Sequence, residues 1–269
     1  SPPSFDGFDG GAGGRYQAKR EITSFWYPTW LAQPAALVPG SKLVDAPPHD
    51  QNIEDVLNIA KDYELVIMHT STPSLANDAK CAETLKAQNP NLKVGFIGAH
   101  VAVLPEETLR DHPIIDFVCR GEFDYTCKEV AEDKPFEQIT GLSYRDGKGD
   151  IKHNPERELI HDWDAMPSVL PTYERDLDIN KYFIGYLLHP YISFYTGRGC
   201  PAKCSFCLWP QTIGGHNYRA KSPEAVGREM EQAKALFGDR VQEYMFDDDT
   251  FTIDKPRAIA ISEHLKRLK

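Results

Sequence analysis

Short apolar runs and amphipathic stretches alternate along the chain, and this pattern sets strands against helices. Residues 42–45, 63–69, 93–98 and 115–119 are apolar runs of strand length, while 53–61, 74–88 and 106–111 between them carry apolar residues at helical spacing. Strands separated by helices predict an α/β fold with a doubly wound parallel sheet, whose ligands bind beyond the carboxyl ends of the strands. Residues 142–153 predict a hairpin turning at Asp146-Gly147. Residues 154–190 hold Pro155, Pro167, Pro171 and many charges with little periodicity, and predict a linker crossing the surface between domains. A second alternation follows: strand 191–195, helix 223–237, strand 241–246 and helix 256–268. The expected organisation is a doubly wound domain over 1–153, a linker over 154–190 and the start of a repeating strand-helix barrel over 191–269, with two cores.

Two segments stand outside this pattern. Residues 1–15 are rich in glycine and predict a mobile loop of the kind that follows a first strand, so a strand is expected ahead of Ser1. Residues 24–38 mix aromatics with Pro28 and Pro34 and predict a short helix after Pro28. Their aromatics suit either core packing or a wall against a flat ligand or a lipid. At the other end, two strand-helix units are too few to close a barrel. The second strand is therefore expected to be left with an open edge, and the 269-residue chain to show little activity of its own.

The predicted strand ends place His69, Ser71, Thr72, Gly98, His100, Gly121 and Glu122 in loops at one edge of the sheet. Hydroxyls, small residues and backbone N–H groups there make a plausible cofactor rim. Composition narrows the class of ligand. A net charge of -10 and a pI near 5.4 argue against a nucleic-acid surface. No apolar run approaches the ~20 residues that span a bilayer, and the first residues lack the features of a signal peptide. A cytoplasmic enzyme of small molecules is expected.

The densest chemistry lies in Cys200-Pro-Ala-Lys-Cys204-Ser-Phe206-Cys207, three cysteines within eight residues directly after a predicted strand. Closely spaced thiolates hold iron-sulfur clusters, and three of them leave one iron of a 4Fe-4S cluster open to a further ligand. Zinc also takes thiolates, but it needs a fourth ligand, and His216 is the nearest candidate. A zinc-stabilised binding module is the alternative from outside the enzymes.

This loop, with an aromatic before its last cysteine, resembles the cluster motif of radical S-adenosylmethionine enzymes. The resemblance implies a 4Fe-4S cluster on Cys200, Cys204 and Cys207, with S-adenosyl-L-methionine on its open iron and cleaved to a 5′-deoxyadenosyl radical. It implies Phe206 near the adenine and the end of the second barrel strand near the methionine portion. The usual Gly-Gly-Glu-like segment there is replaced by Phe246-Asp-Asp-Asp-Thr250, which makes Asp248 and Asp249 candidate acceptors of the ammonium group. Arg219 is a candidate partner of a carboxylate.

The first domain is similar to the cobalamin-binding domain of one group of these enzymes, in Asn89-Pro-Asn-Leu-Lys-Val-Gly-Phe-Ile-Gly98 and Asp116-Phe-Val-Cys-Arg-Gly-Glu122. The Asp-x-His-x-x-Gly motif that carries a lower cobalt ligand elsewhere is absent, and His49 and His69 are the available substitutes. No protein histidine is expected on the cobalt if cobalamin binds. Pro2-Pro-Ser-Phe-Asp-Gly7, Ser24-Phe-Trp-Tyr-Pro-Thr-Trp30 and Leu208-Trp-Pro-Gln-Thr-Ile-Gly-Gly-His216 further resemble radical enzymes of hopanoid biosynthesis that contract a glucosamine ring to a cyclitol ether. That resemblance implies a hopanoid-linked sugar substrate, a reductant such as flavodoxin or ferredoxin, and peripheral contact at the inner face of the membrane. A cobalamin-dependent radical methyltransferase is the alternative enzyme.

Overall fold

The computed structural model describes residues 1–5, 8–9, 17–18 and 24–268. Most of the glycine-rich loop expected over 1–15 lies outside the described residues, apart from the antiparallel pair β1 (Phe8–Asp9) and β2 (Gln17–Ala18). Helix α1 (Thr29–Leu37) begins directly after Pro28. The aromatics ahead of it are core residues: Phe25, Tyr27 and Trp30 are buried, and Tyr27 stacks on Tyr182 at 4.2 Å while its hydroxyl donates to the Tyr191 carbonyl. This corrects the reading of the stretch as a ligand wall.

Helix α2 (Ile53–Ala60) starts at a capping box in which Asn52 and Asp55 each accept the other's backbone N–H. Then come β3 (Leu65–His69), α3 (Leu75–Gln88), β4 (Lys93–Ile97), α4 (Ala99–Val103), α5 (Pro105–Asp111), β5 (Phe117–Cys119), α6 (Asp124–Ala131), β6 (Leu142–Arg145) and β7 (Ile151–His153). They form one five-stranded sheet in the order β3-β4-β5-β6-β7. Strands β3, β4 and β5 are parallel, and the β6–β7 hairpin adds antiparallel to β5. The sheet is therefore mixed. Residues 42–45 are extended but join no ladder in it; Val44 and Ala46 bond to Ser1 instead.

Strand alternation sends Val94, Phe96 and Val118 to one face, under α2, α3 and α5, and Ile97, Phe117 and Cys119 to the other. Gly95 faces Phe117 across the ladder, where any Cβ would overlap the ring. Burial on both faces explains the near-continuous apolar strands.

Residues 154–190 contain helix α7 (Leu170–Asp176), which the sequence pattern did not show. Beyond them lie β8 (Tyr191–Phe194), β9 (Gly197–Arg198), β10 (Arg219–Ala220), α8 (Pro223–Phe237), β11 (Glu243–Phe246) and α9 (Lys255–Leu265). Strand β8 pairs in parallel with β11, as the first two strands of a strand-helix repeat do. Ser222 caps α8 and Asp254 caps α9, each with proline in the first turn. One cluster runs through both parts, with Phe123 and Cys127 sharing it with Tyr173, Tyr182, Tyr191 and Phe194, while a second, around Val94, Phe96 and Val118, fills the other face of the five-stranded sheet.

Candidate functional site

The cysteine loop is held at its neck. Strands β9 and β10 pair antiparallel, matching Gly197 with Ala220 and Arg198 with Arg219, so residues 199–218 leave and return through one backbone ladder. Gly199, at φ +96°, lies against the Asn217 carbonyl oxygen, where a Cβ would overlap it. The Cys200 N–H donates to the Gly215 carbonyl at 3.2 Å and the Cys207 N–H to the Cys204 carbonyl at 3.1 Å. All three thiols are free. Cys204 is exposed, Cys200 and Cys207 are half-buried, and Phe206 is 90% exposed. Among the described residues the three side chains are not gathered into a metal-ligating group. Thiolates on a loop repel one another and converge only around a cation, so ligation and ordering are coupled. The donor set, three uncommitted thiols on one anchored loop, fits a cluster.

The acidic triplet at the end of β11 is divided in its roles. Asp248 accepts from the Thr196 N–H and hydroxyl, both at 2.6 Å, from the Gly197 N–H at 3.1 Å and from the Tyr218 hydroxyl at 2.8 Å. Asp249 accepts from the Gly199 N–H at 3.0 Å. Both therefore hold the backbone that leads into the cysteines, which corrects the expectation that Asp248 offers its oxygens to an ammonium group. Asp247 has no hydrogen bond to its carboxyl among the described residues. Burial, then the charges of Asp248 and Asp249, push its pKa up to about 7.

Arg198, two residues ahead of Cys200, is 1% exposed, and its guanidinium lies between the Trp30 and Trp163 rings at 4.7 and 4.8 Å. Its Nη1 donates to Glu122 Oε1 at 3.0 Å and to Asp124 Oδ2 at 2.6 Å. Burial opposes its charge, but Asp124 and Glu122 outweigh that and hold its pKa above the usual arginine value. Arg219 Nη1 donates to Glu122 Oε2 at 2.6 Å and to the Ile160 carbonyl at 2.7 Å, and Nη2 donates to the Gly214 carbonyl at 2.5 Å. Arg219 and Glu122, expected to meet cofactors, are thus paired with each other in the interior. Their burial leaves no free face for a ligand. Arg198, Asp124 and Asp247 were missed by the sequence reading; only the position of Arg198 beside Cys200 signalled its importance.

Ser71, Thr72, Gly98 and Gly121 do meet at one edge, beyond β3, β4 and β5. The Ser71 and Ser74 hydroxyls are 2.9 Å apart, and the Thr72 hydroxyl lies 3.0 Å from His100 Nδ1, joining the loop after β3 to α4. Gly98, at φ +118°, sits against the Thr70 carbonyl, and Gly121, at φ +60°, borders open space. Helix α4 packs against the 210–214 turn that follows the cysteines, so rim and cysteine loop are neighbours. A rim of hydroxyls and glycine backbone at the ends of parallel strands suits a large polar cofactor. His49 is not a free cobalt ligand: its Nδ1 bonds the Asp45 carbonyl and its Nε2 accepts the Asp178 N–H. His69 is buried at the end of β3.

Residues 18–131 match the family model of the B12 binding domain. An uncharacterized methyltransferase of Pyrococcus horikoshii is 34% identical over 258 residues, covering 93% of this chain and 54% of the relative. The hopanoid C-3 methylase of Methylococcus capsulatus is 29% identical over 168 residues, 57% of this chain and 29% of the relative. The chain thus spans about half or less of the length of these relatives. The cobalamin-dependent S-adenosylmethionine radical enzyme OxsB, solved with aqua-cobalamin and S-adenosylmethionine, superposes with a TM-score of 0.69 at 16% identity, over 89% of this chain and 34% of that one. The radical S-adenosylmethionine methyltransferase TsrM of Kitasatospora setae, solved with cobalamin and a 4Fe-4S cluster, gives 0.59 at 16% identity, over 87% of this chain and 48% of that one. The chain has the α/β fold of cobalamin-binding radical S-adenosylmethionine enzymes, and its residues 18–131 are similar to the B12 binding domain.

Proposed function

We propose that the chain is the cobalamin- and cluster-binding portion of a cobalamin-dependent radical S-adenosylmethionine methyltransferase. The observation that carries this reading is the join between rim and cysteine loop: Arg198, two residues before Cys200, is ion-paired to Glu122 and Asp124, one and three residues after Gly121. When bound, the cofactors supply reductive cleavage of S-adenosylmethionine and a transferable methyl group.

The chain's own residues hold and shield. Cys200, Cys204 and Cys207 would hold the cluster, and Asp248 and Asp249 fix the backbone entering their loop. Ser71, Thr72, Gly98 and Gly121 would edge the cobalamin. Asp247 and the second carboxylate oxygen of the exposed Asp249 are left to receive a cation or a proton from a ligand above β11. The ring-contraction reading rests on resemblance alone, whereas methyltransferases recur among the relatives. Incubating the full-length protein with methyl-labelled S-adenosylmethionine, cobalamin, a reductant and glucosaminyl hopanoid tests this. Label in the hopanoid supports the methyltransferase; a ring-contracted product without label contradicts it.

A further inference from the structure

The neck of the cysteine loop is built from two strands of two residues each, and their register sets Arg198 directly opposite Arg219. Cross-strand partners project to the same face of a ladder, and like charges so placed destabilise it. A ladder this short holds little pairing energy of its own. Left to themselves, the two guanidiniums would push the neck apart.

Glu122 lies between them. Its side chain is 0% exposed; Oε1 accepts from Arg198 Nη1 at 3.0 Å and Oε2 from Arg219 Nη1 at 2.6 Å. Oε2 also accepts the Ile160 N–H at 2.6 Å, and the Ile160 carbonyl receives the same Arg219 Nη1 at 2.7 Å. One carboxylate thus bridges both strands of the neck, while Asp124 shares the charge of Arg198. This carboxylate comes from the rim and not from the neck. Ahead of it, Arg120 is fixed by its N–H on the Gly141 carbonyl and its Nη2 on the Asn154 carbonyl; behind it, Asp124 begins α6. Between these anchors Gly121, at φ +60°, borders open space, so a ligand on the rim reaches Glu122 through a single peptide link.

We propose that Glu122 is a positioning residue that closes the neck of the cysteine loop from the rim, so that a corrinoid on the rim and a cluster on the cysteines each favour the other's binding. That these two ligands are a corrinoid and a cluster rests on the function proposed above; closure of the neck by Glu122 does not. A ligand that orders residues 120–122 fixes Glu122 and with it the neck. Less ordering is then left for the cysteines to undergo as metal arrives, and linkage makes the effect mutual. Glutamine cannot stand in for Glu122, because its amide turns an NH2 donor toward one of the three donors.

Hydrogen exchange at the Gly199 and Cys200 amides, whose acceptors are Asp249 and the Gly215 carbonyl, reads the neck in the full-length protein free of cofactors. Glu122→Gln should speed exchange there at least about 10-fold more than at the core amide of Phe96. Asp176→Asn removes an equally buried carboxylate, paired with Lys42 and Arg175, and should leave the neck amides unchanged. No acceleration at the neck, or the same acceleration at Phe96, overturns the proposal. Cobalamin affinity, titrated with and without a reconstituted cluster, reads the coupling. The cluster should tighten it by about 5-fold or more in the parent and by no more than about 2-fold in Glu122→Gln. Equal tightening in both proteins, or none in the parent, also overturns the proposal. A parent that binds neither ligand sinks the function proposed above, and the exchange result still decides whether Glu122 closes the neck.

Discussion

Arg198 Nη1 lies 2.6 Å from Asp124 Oδ2, so the residue two before Cys200 is tied to the first turn of the helix that follows the rim strand β5. Both side chains are buried, and Glu122 joins them to Arg219. Two guanidiniums and two carboxylates thus cross the boundary between the parts of the chain. Such a cluster adds little stability over apolar packing but strongly penalises loss of one member.

Arg198→Met should therefore destabilise the protein by about 3–5 kcal/mol, because Asp124 is left buried without its partner. Arg198→Met with Asp124→Leu should recover a large part of that loss. Urea unfolding of the single and double variants measures the coupling, and additive effects would show that the pair is not the joint.

Asp247 gives the stability a pH dependence of known sign. Its folded pKa of about 7 exceeds the ordinary aspartate value of 3.8, so the folded state binds the proton more tightly than the unfolded state. Its contribution is neutral below about pH 4, grows more unfavourable as pH rises through the window up to about 7, and is constant above it. Asp247→Asn should match the parent at pH 4 and be the more stable at pH 8, as thermal unfolding across that range would reveal. A constant difference at all pH values would assign the effect to packing.

Gly98→Ala should weaken the rim. Its φ of +118° and the Thr70 carbonyl against it leave no place for a methyl group. The expected loss is about 1–3 kcal/mol in thermal or urea unfolding, with weaker corrinoid retention. Gly147→Ala, where a Cβ meets nothing within 4 Å, is the matched control and should leave both unchanged.

The strands and long helices were legible because burial on one or two faces writes a period into the sequence: α8 emerged at its expected bounds. Helices α4, α6 and α7 were not legible, although α2 and α5 of similar length were. The spacing of the cysteines was plain in the sequence, but the β9–β10 ladder that anchors their loop was not. The partners of Glu122, Arg219 and Asp248 were not, since each pairs with a residue 52 to 97 positions away. A rim loop rich in charge looks the same in sequence whether its carboxylates face a ligand or an arginine of the next domain.

The central claim, that one chain places cobalamin beside a cysteine-held cluster, is tested most directly by anaerobic purification of the full-length protein with cobalamin, iron and sulfide supplied. Iron, sulfide and corrinoid are then measured in the parent and in Cys204→Ala. The account predicts about four irons and one corrinoid per parent chain, and loss of most iron with corrinoid kept in Cys204→Ala. Zinc without iron, or iron with no retained corrinoid, would contradict it.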